Sequence, residues 1–133
     1  MEALVSRVGD LSRRVLAFYE EEAQRFDLTL PQALLLHGLD RPTPMREVAE
    51  RQHCDASNLT GIVDRLEVRG LIVRRTPSAD RRVKELVLTA EGRRLHDHFA
   101  ALSQALPGFR TLDAGERTDL GRLLGKALAD FPD

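Results

Sequence analysis

The densest group of residues that could do chemistry lies between positions 69 and 84, and it is cationic. This sixteen-residue stretch contains one acidic residue, Asp80, and six basic ones, which gives it a net charge of +5. The basic residues are Arg69, Arg74, Arg75, Arg81, Arg82 and Lys84. A solvent-facing segment normally mixes the two signs of charge, so this excess favours contact with the phosphates of a nucleic acid.

The net charge of the whole chain does not reveal this cationic segment. The 133 residues include 20 Lys and Arg and 21 Asp and Glu, which leaves a net charge of −1. Residues 41–94 carry +4 and the rest of the chain carries −5, as expected if one face meets an anionic polymer. Eighteen of the basic residues are arginine, which pairs with phosphates and guanine edges better than lysine does. Biased codon usage is the alternative explanation for that excess of arginine.

Two predicted strands carry the cationic segment. Residues 71–76 and 83–88 have strand composition, and the Pro, Ser, Asp and Arg residues between them are typical of a turn. A helix is predicted just before them, over residues 56–69, with Asp55 as its N-terminal cap and Gly70 as a left-handed C-terminal cap. One side of this helix has the spacing of a buried stripe, with apolar residues Leu59, Ile62, Val63 and Leu66.

The opposite side of this helix is polar. It carries Ser57, Thr60, Gly61, Asp64 and Arg65, with Asn58 at its margin. Short hydroxyl and amide side chains near the N-terminal end can approach base edges, and Arg65 can reach a phosphate or a guanine. A merely solvated face, which is the alternative, would carry more Lys and Glu. The residue types therefore favour contact with DNA.

Two further helices are predicted before this unit, over residues 30–39 and 44–52. The first begins at Thr29-Leu30-Pro31-Gln32, which combines a capping residue, an early proline and a glutamine three positions after the cap. Two helices joined by a tight turn and followed by a hairpin make a winged helix-turn-helix, whose second helix fits the major groove. We therefore predict a mainly α (α+β) fold of this type, with an unrelated small α+β domain as the alternative.

Amphipathic helices are predicted at both ends of the chain. The first has an apolar stripe at steps of three and four residues, formed by Leu4, Val8, Leu11, Val15 and Phe18. After a helix that Thr89 caps, a last helix opens at Asp113 and has its own apolar side. Because one small domain cannot cover both sides by itself, we predict a homodimer interface that includes Leu4, Val8, Leu11, Val15, Leu120, Leu124 and Leu128.

Five short motifs reinforce this interpretation as a set. They are Val48-Ala49-Glu50, Val63-Asp64-Arg65-Leu66-Glu67, Arg69-Gly70-Leu71, Asp80-Arg81-Arg82 and Leu88-Thr89-Ala90-Glu91-Gly92. Together they resemble the multiple-antibiotic-resistance regulator (MarR) family, and the flanking helices also fall where this family has them. The resemblance implies a homodimeric, DNA-binding transcriptional regulator of bacteria or archaea, usually a repressor, whose release a small ligand or oxidant often controls.

The resemblance also implies a domain organisation. Residues 1–133 would form one domain, with a winged helix-turn-helix lobe over residues 30–92 and N- and C-terminal dimerisation helices over residues 1–28 and 93–133. A two-fold dimer would set two recognition helices about 34 Å apart and require a palindromic operator in double-stranded DNA. A small aromatic or anionic effector would lie between the first helices and the DNA-binding lobe.

The family pattern also implies roles for the wing and for one position of the helix. Asp80-Arg81-Arg82 matches an Asp-x-Arg motif, in which Arg82 would enter the minor groove while Asp80 orients neighbouring arginines. Gly61 departs from the family, which often has a basic residue there, so the helix either sits closer to the bases or loses one contact. The predicted DNA-binding residues are Ser57, Asn58, Thr60, Gly61, Arg65, Arg74, Arg75, Asp80, Arg81 and Arg82.

The remaining reactive residues form no catalytic or metal-binding pattern. His96 and His98 are two positions apart on a predicted helix, so they point in different directions and cannot chelate one metal together. Cys54 is either a small buried hydrophobe or a redox switch aided by Arg51 or His53. The oxidant sensors of the family place their reactive cysteine in the first helix, where this chain has none. We predict no enzymatic activity, no cofactor and no metal site.

Composition also bears on location and on the alternative function. No apolar run approaches about 18 residues, and the N-terminus lacks the pattern of a signal peptide, so no membrane association is expected and the cytoplasm is the expected location. The alternative to operator binding is a winged-helix module that binds another protein without specific DNA binding. Such a module should present an apolar or acidic outer helix face. The polar face and the arginine-rich segment favour DNA.

Overall fold

The computed structural model describes residues 1–52, 56–77 and 80–131. The secondary-structure elements in these ranges are α1 (Glu2–Gln24), α2 (Leu30–Gly38), β1 (Thr43–Pro44), α3 (Met45–Arg51), α4 (Ala56–Val68), β2 (Ile72–Arg75), β3 (Glu85–Leu88), α5 (Ala90–Gln104) and α6 (Ala114–Leu128). Helices α3 and α4 form the helix-turn-helix, and β2, β3 and the loop between them form the wing. The predicted fold class is confirmed.

The strand β1 was not predicted, because the sequence analysis assigned Pro44 to the first turn of a helix. In the structure Thr43 pairs with Leu86 and Pro44 with Glu85, which adds β1 to the wing as an antiparallel edge in the order β1-β3-β2. Proline is tolerated on an edge strand because no ladder partner needs its missing N–H. The extended backbone of Pro44 delays the start of α3 to Met45.

The core of the first compact unit, Met1–Ala100, holds α4 against α2, α3 and β2. Leu59, Val63 and Leu66 of α4 are at most 1% exposed. The other large side chains that are fully buried are those of Leu35, Leu36, Leu39, Ile72, Leu86, Phe99 and Thr43. This packing fixes which side of α4 faces solvent.

The predicted helix caps are present where the structure describes them. Thr29 and Gln32 form a reciprocal capping box at the start of α2, with bonds of 3.4 and 3.0 Å. Gly70 has φ +69°, and the N–H of Leu71 donates to the carbonyl of Leu66, which closes the end of α4. The predicted cap of α4 at Asp55 lies outside the described residues.

The start of α5 lies very close to the turn between α4 and β2. The hydroxyl of Thr89 donates to the carbonyl of Gly70 at 2.6 Å and accepts from the N–H of Gly92 at 3.1 Å. A Cβ atom at Gly92 would lie 1.8 Å from the carbonyl oxygen of Leu71. Only glycine fits this approach.

The second compact unit, Ala101–Asp133, contains the end of α5, a 3₁₀ turn over Phe109–Thr111 and α6. The predicted cap of α6 is present, with Asp113 and Glu116 bonded reciprocally at 2.9 Å. No residue of α6 is buried. Leu120 and Leu124 of this amphipathic helix are half-buried, and Leu123 and Leu128 are exposed.

Candidate nucleic-acid interface

The exposed side of α4 carries the residue types that can contact bases. The predicted DNA-binding residues of this helix, Ser57, Asn58, Thr60, Gly61 and Arg65, are all exposed. The predicted apolar stripe lies on the other side, where Leu59, Val63 and Leu66 are buried and Ile62 is half-buried. The structure thus brings the five residues onto one solvent-facing surface, which we call the α4 face.

A groove separates the α4 face from the first turn of α2. It has a volume of about 640 Å³, with Thr29, Leu30 and Pro31 on one wall and Asn58 and Arg65 on the other. The residues of the α2 wall are not among the predicted DNA-binding residues. The capping pattern at Thr29–Gln32 predicts the start of α2, and the free amides of a helix start favour anions. That the start of α2 borders α4 depends on tertiary packing.

Gly61 lies on the α4 face with open space around it, since a Cβ atom there would meet nothing within 4 Å. Glycine in a helix interior costs about 1 kcal/mol relative to alanine. We therefore expect Gly61→Ala to raise the free energy of unfolding by about 0.5–1 kcal/mol, measured by urea denaturation. An unchanged or lower stability would contradict the open environment of this position.

Arg74 of β2 is held by two carboxylates of α4. Its guanidinium bonds to Asp64 and Glu67, and its backbone N–H donates to Glu67 at 3.3 Å. The hydrogen bond that Arg74 donates to Asp64 is the main cause of the raised pKa of Arg74. This predicted DNA-binding residue thus ties the wing to α4, with its charge largely balanced within the protein.

Other cations of the hairpin are also bonded within the protein. Arg75 pairs with Glu85 at 3.3 Å across the two strands of the wing. Lys84 donates to the hydroxyl of Thr76 at 2.7 Å. Arg69 donates to two backbone carbonyls of the α1–α2 turn. The net charge of +5 therefore overstates the number of unpaired cations.

Arg65, Arg81 and Arg82 keep their charges available. All three are exposed, and their side chains form no hydrogen bond or ion pair with the part of the chain that the structure describes. Asp80 accepts a bond from the backbone N–H of Arg82 at 2.9 Å, so it shapes the turn that presents the two wing arginines. Residues 78 and 79 of that loop lie outside the described residues.

His96 and His98 each contact another helix of the first compact unit. His96 bonds through Nδ1 to the carbonyl of Leu36 in α2 at 2.9 Å, and His98 lies 3.4 Å from Glu22 in α1. The two rings point to different helices, as predicted from their spacing. Residues 1–52, 56–77 and 80–131 contain no group of three His, Cys, Asp or Glu side chains that could hold a metal. Cys54 and His53 lie outside these ranges, so the redox hypothesis stays a prediction.

Comparison with known proteins points to one family. The transcriptional regulator MgrA of Staphylococcus aureus is 26% identical to this chain over 133 residues, which cover 98% of this chain and 90% of MgrA. Residues 28–84 match the sequence model of the MarR family. The chain therefore resembles MarR-family proteins, most clearly over residues 28–84. The relatives found in these comparisons are transcriptional regulators.

Solved structures of MarR-family regulators share the fold. AbsC of Streptomyces coelicolor superposes with a TM-score of 0.80 at 21% identity, over 96% of this chain and 91% of AbsC. A complex of S. aureus MepR with DNA superposes with a TM-score of 0.76 at 20% identity, over 97% and 96% of the two chains. None of the helices in the described ranges is long and apolar enough to cross a membrane.

The MarR match covers the whole predicted DNA-binding set. It runs from just before α2 into the wing, so it includes the α4 face and every wing arginine named above. It leaves out α1, α5 and α6, whose predicted dimer contacts lie beyond the matched residues. The predicted DNA-binding residues therefore lie within the family match, whereas the predicted dimer contacts lie outside it.

His37 and His96 are expected to make the stability of the chain depend on pH. The pKa of His37 lies below its ordinary value of 6.5, because burial disfavours the imidazolium and His96, with its ring 6.4 Å away, repels it. The unfolded chain therefore binds this proton first, and stability falls as the pH drops below 6.5 toward the folded pKa. We expect the melting temperature to fall less for His37→Gln than for the wild type between about pH 8 and pH 5.5. An equal fall in melting temperature for the two proteins would contradict a role for His37. The contact of His98 with Glu22 is present in both proteins, so it does not affect the comparison.

Proposed function

We propose that this chain is a homodimeric repressor that binds a palindromic operator and is released by a small ligand. The observation that carries the proposal is the α4 face, which is polar and exposed. It lies in a winged helix-turn-helix beside arginines whose side chains have no partner among the described residues. An α-helix fits the major groove, where hydroxyl, amide and guanidinium groups can read base edges. In this proposal α4 is the recognition helix, and the solved complex of MepR with DNA supports it by similarity of fold.

The wing is proposed to follow the minor groove. Arg81 and Arg82 sit at its tip without side-chain partners among the described residues, and arginine is attracted to the strong negative potential of a narrow minor groove. Arg75 is proposed to lie near the DNA backbone, with its charge partly balanced by Glu85. Arg74 is proposed to act indirectly, because its bonds to Asp64 and Glu67 hold the wing beside the recognition helix.

A second copy of the chain is proposed to cover the apolar sides of α1 and α6. None of the first eighteen residues of the chain is buried. Leu4 is 59% exposed and Val8 46%, while Leu128 of α6 is 67% exposed. Leu11, Val15, Leu120 and Leu124 are half-buried. Contiguous apolar surfaces of this kind mark interaction sites, and a two-fold partner matches a palindromic site.

The effector is proposed to enter a cavity beside the α1–α2 turn. This cavity has a volume of about 490 Å³, and its lining includes the aromatic ring of Phe26, the cations Arg69 and Arg94 and the carboxylates of Asp27 and Glu91, of which Glu91 pairs with Arg94 at 3.1 Å. The ring suits an aromatic molecule, and the guanidinium groups suit an anionic substituent on it. A thermal-shift screen of aromatic carboxylates should find compounds that raise the melting temperature, and a screen without any binder would remove this part of the proposal.

Selection of DNA from the organism's own genome tests the operator. Purified protein is mixed with sheared genomic duplex, and the bound fragments are sequenced. We expect a shared inverted repeat whose two halves lie about one turn apart, 10–10.5 base pairs centre to centre. Enrichment without a shared sequence would contradict specific operator binding, and retention of no DNA would favour the protein-interaction alternative.

Light scattering tests the dimer. We expect the mass of two chains at micromolar concentration, and a shift toward the monomer when aspartate replaces Leu4 and Val8, because burying unpaired carboxylates in an apolar interface is costly. Gly121→Ala is the matched control, since its added Cβ atom would meet nothing within 4 Å in this chain. A wild-type monomer would exclude the proposed interface.

A further inference from the structure

The guanidinium of Arg69 joins the end of α4 to the end of α1. Arg69 directly follows α4, and its Nη1 and Nη2 atoms donate hydrogen bonds of 2.6 and 2.7 Å to the carbonyl oxygens of Asp27 and Phe26. Both carbonyls lie in the turn that leads from α1 into α2. The sequence groups Arg69 with the cations of the hairpin, but its donors are directed at the protein backbone.

The turn that receives Arg69 has a fixed shape. Asp27 has φ +53°, a left-handed conformation that is uncommon for residues other than glycine. The N–H groups of Phe26, Asp27 and Leu28 all donate back to the last carbonyls of α1. No backbone N–H of the described residues donates to the carbonyls of Phe26 and Asp27. These carbonyls lie near the negative end of the helix dipole, where a cationic donor binds more strongly than a neutral one.

The contact links α4 directly to the turn at the end of α1. Helix α2 packs against both α1 and α4. Arg69 adds a second connection at the C-terminal ends of α1 and α4, and its planar fork holds both carbonyls in one geometry. The position of α4 relative to α1 is thus constrained from two sides.

We propose that Arg69 is a positioning residue that fixes the spacing between the two recognition helices of the dimer. This inference rests on the proposed function, in which α1 lies at the two-fold interface and α4 enters the major groove. If α1 is the reference at the dimer axis, a tether from α1 to the end of α4 sets how far each recognition helix lies from that axis. The operator spacing that the dimer prefers is then set by a residue that touches no DNA.

This role differs measurably from a phosphate contact. A phosphate contact changes how steeply affinity falls with salt, whatever the spacing of the half-sites. A positioning contact changes the dependence on half-site spacing and leaves the salt dependence as it was. Arg82 at the wing tip, which we propose to contact DNA directly, is the matched control.

The experiment measures binding of the full-length protein to duplexes that carry the selected half-site twice, with spacers that differ by single base pairs. The wild type, Arg69→Ala, Arg69→Lys and Arg82→Ala are compared at several salt concentrations. We expect Arg69→Ala to lose about three- to thirtyfold in affinity on the preferred spacer and to flatten the spacer preference, with an unchanged salt slope. Arg69→Lys should fall between Arg69→Ala and the wild type, because one ammonium cannot reproduce the fork. Arg82→Ala should weaken binding on every spacer and reduce the salt slope.

Several results would overturn the inference. If Arg69→Ala folds with a wild-type melting temperature and keeps the spacer preference of the wild type, Arg69 does not set the spacing. If it instead lowers the salt slope as Arg82→Ala does, Arg69 is a phosphate contact. A wild type without any spacer preference would contradict the proposed palindromic dimer, and with it the role of Arg69. If the wild type binds one spacer length best and Arg69→Ala keeps that preference, the role of Arg69 is contradicted and the palindromic dimer is not.

Discussion

Replacing Arg65 with alanine is expected to cost about 1–3 kcal/mol of binding free energy on the operator and much less on random duplex. Arg65 is exposed on the α4 face, and its side chain is without a partner among the described residues, so its donors are available for a guanine edge. Loss of a base contact should relax sequence preference at one position of each half-site. Competition with operators substituted at single positions measures this directly.

Replacing Arg82 is expected to weaken operator and random duplex alike. Its place at the wing tip suits the minor groove, where arginine reads charge and shape more than sequence. Arg82→Ala should therefore flatten the salt dependence by about one phosphate for each protomer. Binding curves on operator and scrambled duplex at several salt concentrations separate this behaviour from that of Arg65→Ala.

Folding of both variants is the control for these measurements. Exposed substitutions usually change stability by less than about 0.5 kcal/mol, so both melting temperatures should stay near that of the wild type. If both variants fold normally and bind DNA with unchanged affinity, neither the α4 face nor the wing tip contacts DNA.

Gly92→Ala is expected to be the most destabilising single-methyl change in the described chain, at about 3 kcal/mol or more. The new Cβ atom would lie 1.8 Å from the carbonyl oxygen of Leu71 and 2.9 Å from its carbonyl carbon. Backbone atoms cannot rotate away as a side chain can, so α5 and the α4–β2 turn must separate. The bonds of Thr89 to both sides of this contact would then be strained.

Gly61→Ala is the matched control for this change, because it is the same substitution inside another helix and is expected to have the opposite sign. Urea denaturation of the two variants measures both effects with one method. A stability of Gly92→Ala equal to that of the wild type would show that the close approach of α5 can relax without cost.

The elements of the fold could be predicted where their signals are local. The residues that form a helix cap, as at Thr29 or Asp113, lie within four consecutive positions. The apolar residues of the buried stripe recur at regular spacing along one helix, α4. Strand β1 could not be predicted in this way, because Thr43 and Pro44 are too short a segment to show periodicity. Their pairing with β3 depends on residues some forty positions later in the chain.

The predicted site shows the same division. Side-chain exposure on α4 followed from the hydrophobic pattern, and every predicted contact on that helix is exposed. Counting charges along the hairpin could not show which cations are paired, because Arg74 finds its carboxylates on α4 and Arg69 finds its carbonyls beyond α1. Only the tertiary structure distinguishes the arginines that bond within the protein from those whose side chains have no partner among the described residues.

The most direct test of DNA recognition by the α4 face and the wing tip is the salt dependence of wild-type binding to the selected operator and to a scrambled duplex. Arg81 and Arg82 from two protomers supply four phosphate partners, so we expect log Kobs to fall with log salt at a slope of about −4 or steeper. Affinity for the operator should exceed that for the scrambled duplex by at least about a thousandfold. A slope near zero, or equal affinity for the two duplexes, would contradict recognition of DNA by this surface.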